Sequence, residues 1–293
     1  MRVAVIGSNG QLGVDICNAY KREGEEVIKF THDNFEISDF DSASSALHQV
    51  SPDLVINTAA MHNVEACEGD PIKSFLVNGF GSRNLAVICN EIGCILMHIS
   101  TDYVFDGSKG TPYVETDCPN PLNSYGNSKL AGEFFISSIA KKYLILRVSG
   151  IYGLNPCRAK GGRNFVTTML RLAKERGEVK VVSDEIISPT YTGDIARQIL
   201  HLAGRNQYGL FHVAAQGQCS WYEFAEKIFE LTNTKVRLLE ANSNDFPANV
   251  RRPKYSVLEN HVLKSLGLDI MPHWSQGLWN YIEAFKKNSQ YPF

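Results

Sequence analysis

The stretch "RVAVIGSNGQLG", Arg2 to Gly13, decides the fold. An apolar, β-branched run passes directly into Gly7, Gly10 and Gly13 at the spacing GxxGxxG, and a helical pattern follows to about Lys21. Glycines so placed permit a tight turn, a close backbone approach to a pyrophosphate and close packing of helix on strand. The helix N-terminus adds free amides and the positive end of a dipole. A glycine triplet alone could be a mere strand-to-helix turn, but its place right after an N-terminal strand makes it a dinucleotide-binding loop.

Outward from that loop the first half alternates short apolar runs with longer helical patterns. "EVIKF" precedes "DSASSALHQV", "LVIN" precedes a helix through "SRNLAVICNEIG", and "CILMHIS" and "YLILRVS" flank the helix that holds Lys129. Such alternation predicts an α/β fold, a Rossmann-type doubly wound parallel sheet with helices on both faces. After Ser149 a passage rich in Gly, Pro and Asn, Gly150 to Asn164, breaks the rhythm. The expected division is a dinucleotide-binding domain over residues 1–149 and a smaller C-terminal α/β substrate-binding domain over 150–293. Parts of 178–204 are expected to rejoin the first. "SWYEFAEKIFELTN" should open as a capped helix, with Ser220 and Glu223 as a capping box.

The chain of 293 residues is 44% hydrophobic and 20% charged, the balance of an ordinary globular protein rather than a disordered or fibrous one. A formal charge of −2 offers no global attraction to nucleic acid or to an anionic membrane. The seven cysteines are scattered and contain no CxxC pair, which predicts free thiols in a reducing, cytoplasmic setting and no metal site. No run approaches membrane-spanning length.

The chemistry is expected at three places. In "NSYGNSKLAGE", Tyr125 and Lys129 lie four residues apart and so share one helix face. A phenol near an ammonium and a cationic nicotinamide should be drawn down towards the range useful for acid–base work. "HISTDYVFDG" delivers Ser100 and Thr101 at the end of the fourth strand, where a hydroxyl can hydrogen-bond a substrate carbonyl. At the end of the second strand "IKFTHD" offers Lys29, Thr31 or His32 where NAD-binding chains usually carry an acid, so NADH and NADPH both stay open.

Glycine loop, hydroxyl and YxxxK pair stand in the chain order of a hydride-transfer site. Together with "INTAA", "NFVTTMLRLA", "SPTYTGDIA", "SWYEFAEKIF" and "RRPKYSVL" they span nearly the whole chain. By these residues the sequence resembles the extended short-chain dehydrogenases/reductases, and among them most closely the dTDP-4-dehydrorhamnose reductases. The resemblance implies reduction of a 4-keto-6-deoxy sugar on a nucleotide carrier, with NADPH or NADH as cofactor. It makes Tyr125 the proton donor, Lys129 its tuner and ribose ligand, and Thr101 with Asp102 the sugar contacts. Gly10, Gln11 and Leu12 would cradle the pyrophosphate beside Gly7 and Gly13. Asp39 and Phe40 would lie by the adenine, and Ala59, Ala60, Met61 and His62 would line the cofactor. Asn164, Arg251 and Arg252 are candidates for the substrate diphosphate, guanidinium forks matching phosphate oxygens, or for interdomain salt bridges. A homodimer is compatible with the family.

Three departures from the family pattern cluster around the substrate. "SGIYG" puts Gly150 where a stacking tryptophan is usual, "AAMHNVEACE" alters the loop beside the nicotinamide, and "SDEIISPT" carries Glu185 and Ile187 where Gln and Gly are usual. They point to altered sugar or nucleotide specificity. His62 then either lines the cofactor or is a loop histidine without a chemical role. Two other readings fit the same scaffold: a cofactor-binding regulatory subunit of another enzyme, motivated by Gly150 and the altered loop, and a sugar-nucleotide epimerase.

Overall fold

A computed structural model describes residues 1–157, 161–246 and 250–287. In chain order the first part holds Arg2–Ile6 (β1), Gln11–Arg22 (α1), Glu26–Phe30 (β2), Phe40–Val50 (α2) and Leu54–Asn57 (β3). Val64–Gly69 (α3) and Pro71–Ser74 (α4) follow, then a π-type turn over Phe75–Phe80 that runs into Gly81–Ile92 (α5). Next come Ile95–Thr101 (β4), a single 3-10 turn over Asp102–Val104, Ser124–Ile139 (α6) and Tyr143–Val148 (β5). The remainder contains Ile151–Tyr152 (β6), Phe165–Arg176 (α7), Glu178–Val182 (β7), Ile186–Ile187 (β8), Thr190–Tyr191 (β9) and Thr192–Leu202 (α8). It closes with Gly209–His212 (β10), Cys219–Ser220 (β11), Trp221–Thr232 (α9), Arg237–Ala241 (β12), His261–Ser265 (α10) and Trp274–Lys287 (α11).

The central sheet is six-stranded, in the order β10-β5-β4-β3-β1-β2, and every pairing in it is parallel. Strand alternation buries both faces. Val3, Val5, Leu54 and Ile56 pack with Ile16 of α1 and Ile195 and Ile199 of α8, while Ala4, Ile6 and Val55 pack with Leu47 of α2 and Leu85 and Ile88 of α5. The chain crosses from β1 outward to β2 and back past β1 to β3. This reversal opens a crevice above the C-terminal ends of β1 and β3, the place where such sheets bind ligands.

The run Glu178–Val182 does not enter this sheet; it pairs in parallel with β12. The strand that widens the central sheet is β10, which pairs with β5, and α8 packs against α1. Periodicity alone could not choose between them, because β7 and β10 are both short runs with mixed burial. A second core gathers Tyr152, Val166, Leu170, Phe224, Ile228, Leu278 and Tyr281. Ser220 and Glu223 form the capping box at the start of α9, each side chain accepting from the other's backbone N–H. Among the described residues no helix is long and apolar enough to cross a membrane.

Candidate active site

The glycine loop takes the form its sequence predicts. Gly7 has φ +75°, a conformation that disfavours any side chain, and a Cβ on Gly13 would stand 2.3 Å from the Gly7 carbonyl oxygen. Because Gly10 is the N-cap of α1, no side chain covers the first amides of that helix. Thr58 closes the crevice floor by donating to the carbonyls of Ile6 and Gly7 at 2.8 and 3.2 Å. Leu12 is buried, and Gln11 reaches across to the carbonyls of Gly153 and Asn155. This uncovered backbone cradle at a helix N-terminus fits the pyrophosphate of a dinucleotide.

The strip Ala59 to His62 leaves the end of β3 along the same crevice. Asn78, in the π-type turn, fixes it: its amide accepts from the Met61 N–H at 2.9 Å and donates to the Met61 carbonyl at 2.9 Å. Ser128 of α6 holds Asn78 in turn, accepting from it at 2.9 Å. Nothing in the linear order of "FLVNGF" marks that asparagine, since its role arises only when α6 packs over the turn. His62 approaches the Ala60 carbonyl and the Cys157 thiol at 3.4 and 3.5 Å. Asp39 caps α2, its carboxylate accepting from the Ser42 N–H, and Phe40 beside it is part-exposed.

Thr101 ends β4 and Asp102 begins the 3-10 turn. The Thr101 hydroxyl donates to the Asp102 carboxylate at 3.0 Å and accepts from the Tyr103 N–H at 3.1 Å. Asp102 is buried, accepts from Ser149 at 3.0 Å, and is pushed up by burial, with Ser256, Ser149 and Thr101 opposing the rise. It therefore stands behind Thr101 and orients it. Helix α6 starts at Asn123, which caps it by accepting from the Gly126 N–H and donates to the Arg251 carbonyl.

Tyr125 lies half-buried in the first turn of α6, its ring 5.8 Å edge-on from that of Tyr103. Burial raises its phenol well above the ordinary value, and a hydrogen bond with Thr101 opposes the rise only in part. The expected lowering by Lys129 is not seen. Lys129 is buried, and its Nζ bonds the Ile99 carbonyl at 2.7 Å and His98 Nε2 at 3.0 Å, so desolvation of the tyrosine prevails. Lys129 itself is lowered to about 8, by burial, with Glu133 acting the other way.

On the other side of the crevice Arg252 pairs with Glu65 and also feels Tyr103 and Glu185. Two of the residues in which the sequence departs from the family pattern, Glu65 and Glu185, therefore meet at one guanidinium. Arg251 is exposed and reaches the site through its carbonyl. Asn164 is buried as the N-cap of α7, with its amide donating to the Gly153 carbonyl and the Tyr281 hydroxyl. At Gly150 φ is +52°, and Ile187 Cδ1 and Pro189 Cα stand 3.2 Å from where a Cβ would be.

The family model of the RmlD substrate binding domain matches residues 1–287. The spore coat polysaccharide biosynthesis protein SpsK of Bacillus subtilis is 40% identical over 283 residues, covering 96% of this chain and 97% of its own. A dTDP-4-dehydrorhamnose reductase of Clostridium acetobutylicum superposes with a TM-score of 0.93 at 38% identity, over 98% of this chain and 100% of that one. The Bacillus anthracis dTDP-4-dehydrorhamnose reductase, solved in complex with NADP, gives 0.92 at 38% identity over 97% and 99%. With a glycine cradle, a Tyr-Lys pair on one helix and a family match along almost its entire length, the chain belongs to the RmlD substrate binding domain family.

Proposed function

We propose that this protein reduces the 4-keto group of a nucleotide-linked 6-deoxy sugar with NAD(P)H, in deoxysugar or polysaccharide biosynthesis. The observation that carries the reading is the placement of Tyr125 in the first turn of α6 beside Thr101 at the end of β4, at the edge of the crevice. A bound nicotinamide supplies hydride. The protein's own part is to hold the keto carbon at the phenol and to give its oxygen a proton.

Tyr125 is the proton donor, and Thr101, oriented by Asp102, aligns the phenol and the carbonyl oxygen. Lys129 steadies the phenolate that results, because an ammonium one helical turn away favours the charged form. Gly7, Gly10, Gln11, Leu12 and Gly13 hold the cofactor's pyrophosphate, Asp39 and Phe40 lie at its adenine end, and Ala59 to His62 line its nicotinamide half. Arg252, balanced by Glu65 and Glu185, and Arg251 hold the diphosphate of the substrate, with Asn164 supporting the loop beside it. Residues 1–149 act as the cofactor unit with α8 and β10 joined to it, and the rest forms the substrate unit, in a soluble cytoplasmic homodimer.

The test is consumption of NADPH and of NADH, followed by absorbance, with a dTDP-4-keto-6-deoxy sugar as oxidant. Stoichiometric oxidation of cofactor with formation of the 4-hydroxy sugar is expected. Product formation without net cofactor consumption would point to an epimerase instead and overturn the reading. Arg252→Gln should raise KM for the sugar nucleotide, by roughly tenfold if one charged hydrogen bond is lost, with kcat much less affected.

A further inference from the structure

A thiol and an imidazole meet at the crevice, and the reduction leaves both without a chemical task. His62 ends the strip that leaves β3, Cys157 lies in the loop after β6, and His62 Nε2 is 3.5 Å from Cys157 Sγ. The other ring nitrogen, Nδ1, lies 3.4 Å from the Ala60 carbonyl oxygen, which can only accept. In a neutral ring the proton therefore sits on Nδ1. Nε2 then turns its lone pair to the thiol, and the S–H donates to it. A nucleophile, a base and a group that orients the base stand in a row, the arrangement that activates a cysteine.

The loop that carries Cys157 is tied down on both sides of it. Gln11 of α1 donates to the Asn155 carbonyl at 3.1 Å, and Asn155 donates to Asp15 at 3.2 Å. Beyond it, the Cys157 carbonyl accepts the Gly162 N–H at 2.9 Å. The strip carrying His62 is held in turn by Asn78 through Met61.

The other cysteines lack this setting. Cys17, Cys67, Cys89, Cys94 and Cys219 are buried, and burial pushes the thiols of Cys17, Cys67 and Cys219 up. Cys118 is exposed, but its Sγ faces the Pro119 carbonyl at 3.8 Å, which is no base. Cys157 alone combines a partly open sulfur with an imidazole beside it. We propose that Cys157 and His62 form a modification site for small disulfides, and that the adduct bars a dinucleotide from the crevice.

The step is thiol–disulfide exchange. His62 Nε2 takes the Cys157 proton as Sγ attacks one sulfur of the reagent. The new S–S bond forms, the reagent's own S–S bond breaks, and its other half leaves as a thiolate. A free thiol reverses the exchange by the same route. Because His62 belongs to the strip at the nicotinamide half, adduct and cofactor claim the same space. The blocking rests on that proposed function, whereas the reactivity of the thiol does not.

The test treats the full chain at neutral pH with dithiobis-nitrobenzoic acid, a small aromatic disulfide. Adducts are assigned by peptide mass spectrometry, with Cys118 as internal reference. Cys157 should react at least about fivefold faster than the more exposed Cys118, since a thiol without a base is only a few per cent thiolate at that pH. His62→Gln, which cannot take the proton, should slow Cys157 by a similar factor and leave Cys118 unchanged. Saturating NADPH or NADH should protect Cys157 only, and the Cys157 adduct should bind no cofactor until a thiol removes it. A wild-type Cys157 no faster than Cys118 overturns the proposal even if His62→Gln fails to fold, and so does an adduct that binds cofactor as well as the unmodified protein. An unmodified protein that binds no cofactor would refute the proposed function, and the blocking with it, while a fast, His62-dependent Cys157 would still establish the modification site.

Discussion

Gly150 shows how a single position can mislead when read alone. The loss of a tryptophan there predicts an opened wall, yet Ile187 Cδ1 and Pro189 Cα stand within 3.2 Å of the missing Cβ. Ile187, 37 positions later in the chain, occupies the space beside Gly150. With φ at +52°, Gly150→Ala should lose about 1–2 kcal/mol of stability from the left-handed backbone, plus a contact penalty against Ile187. Urea unfolding of Gly150→Ala, Ile187→Ala and the double variant measures both. The double variant should be more stable than the sum of the single losses predicts.

Among elements, α6 carries Tyr125 and Lys129, the proposed proton donor and its tuner, and an ion pair anchors it. Arg147 of β5 forks onto Glu133 with Nε at 2.9 Å from Oε1 and Nη2 at 2.6 Å from Oε2, and Ser100 of β4 donates to the same carboxylate. All three are buried. Glu133→Ala leaves a buried guanidinium without its partner and should cost about 3–5 kcal/mol, read as a fall in the denaturation midpoint. Asn78→Leu should instead loosen the Ala59–His62 strip, raising KM for NAD(P)H while leaving kcat less affected. The helix itself was legible, because Asn123 is a good N-cap and YxxxK fixes the shared face. Asn78, His98 and Glu133 were not, since each acts across elements distant in sequence and no local period marks such partners. The same holds for the Tyr125 phenol: spacing places it near Lys129, but only packing reveals that burial outweighs the lysine and that Lys129 is turned towards β4.

At the scale of the whole molecule, a parallel sheet with helices on both faces followed from the βαβ rhythm, whereas the strand order, and with it the crevice above β1 and β3, emerges only in the fold. The return of α8 was expected within 178–204, but that of β10 was not, because the chain had already left the sheet after β5. That return buries His212, whose Nδ1 lies 3.1 Å from the carbonyls of both Tyr113 and Glu259. Burial lowers His212 to about 3 from an ordinary 6.5, and His98 is lowered as well. Between those values the unfolded chain binds a proton that the folded chain refuses. The stability is therefore complete above about pH 6.5 and falls as acid is added, by at most about 1.4 kcal/mol per pH unit for each histidine. His212→Asn, which can still donate to those carbonyls but does not titrate, should flatten the fall between pH 6.5 and 4 in urea unfolding.

The most direct test of the central claim compares wild type with Tyr125→Phe in NAD(P)H oxidation by a dTDP-4-keto-6-deoxy sugar, with nucleotide binding measured in parallel. Removing one proton donor should cost roughly 10²- to 10⁴-fold in kcat while cofactor and sugar-nucleotide affinities hold. Unchanged turnover in Tyr125→Phe would contradict the account.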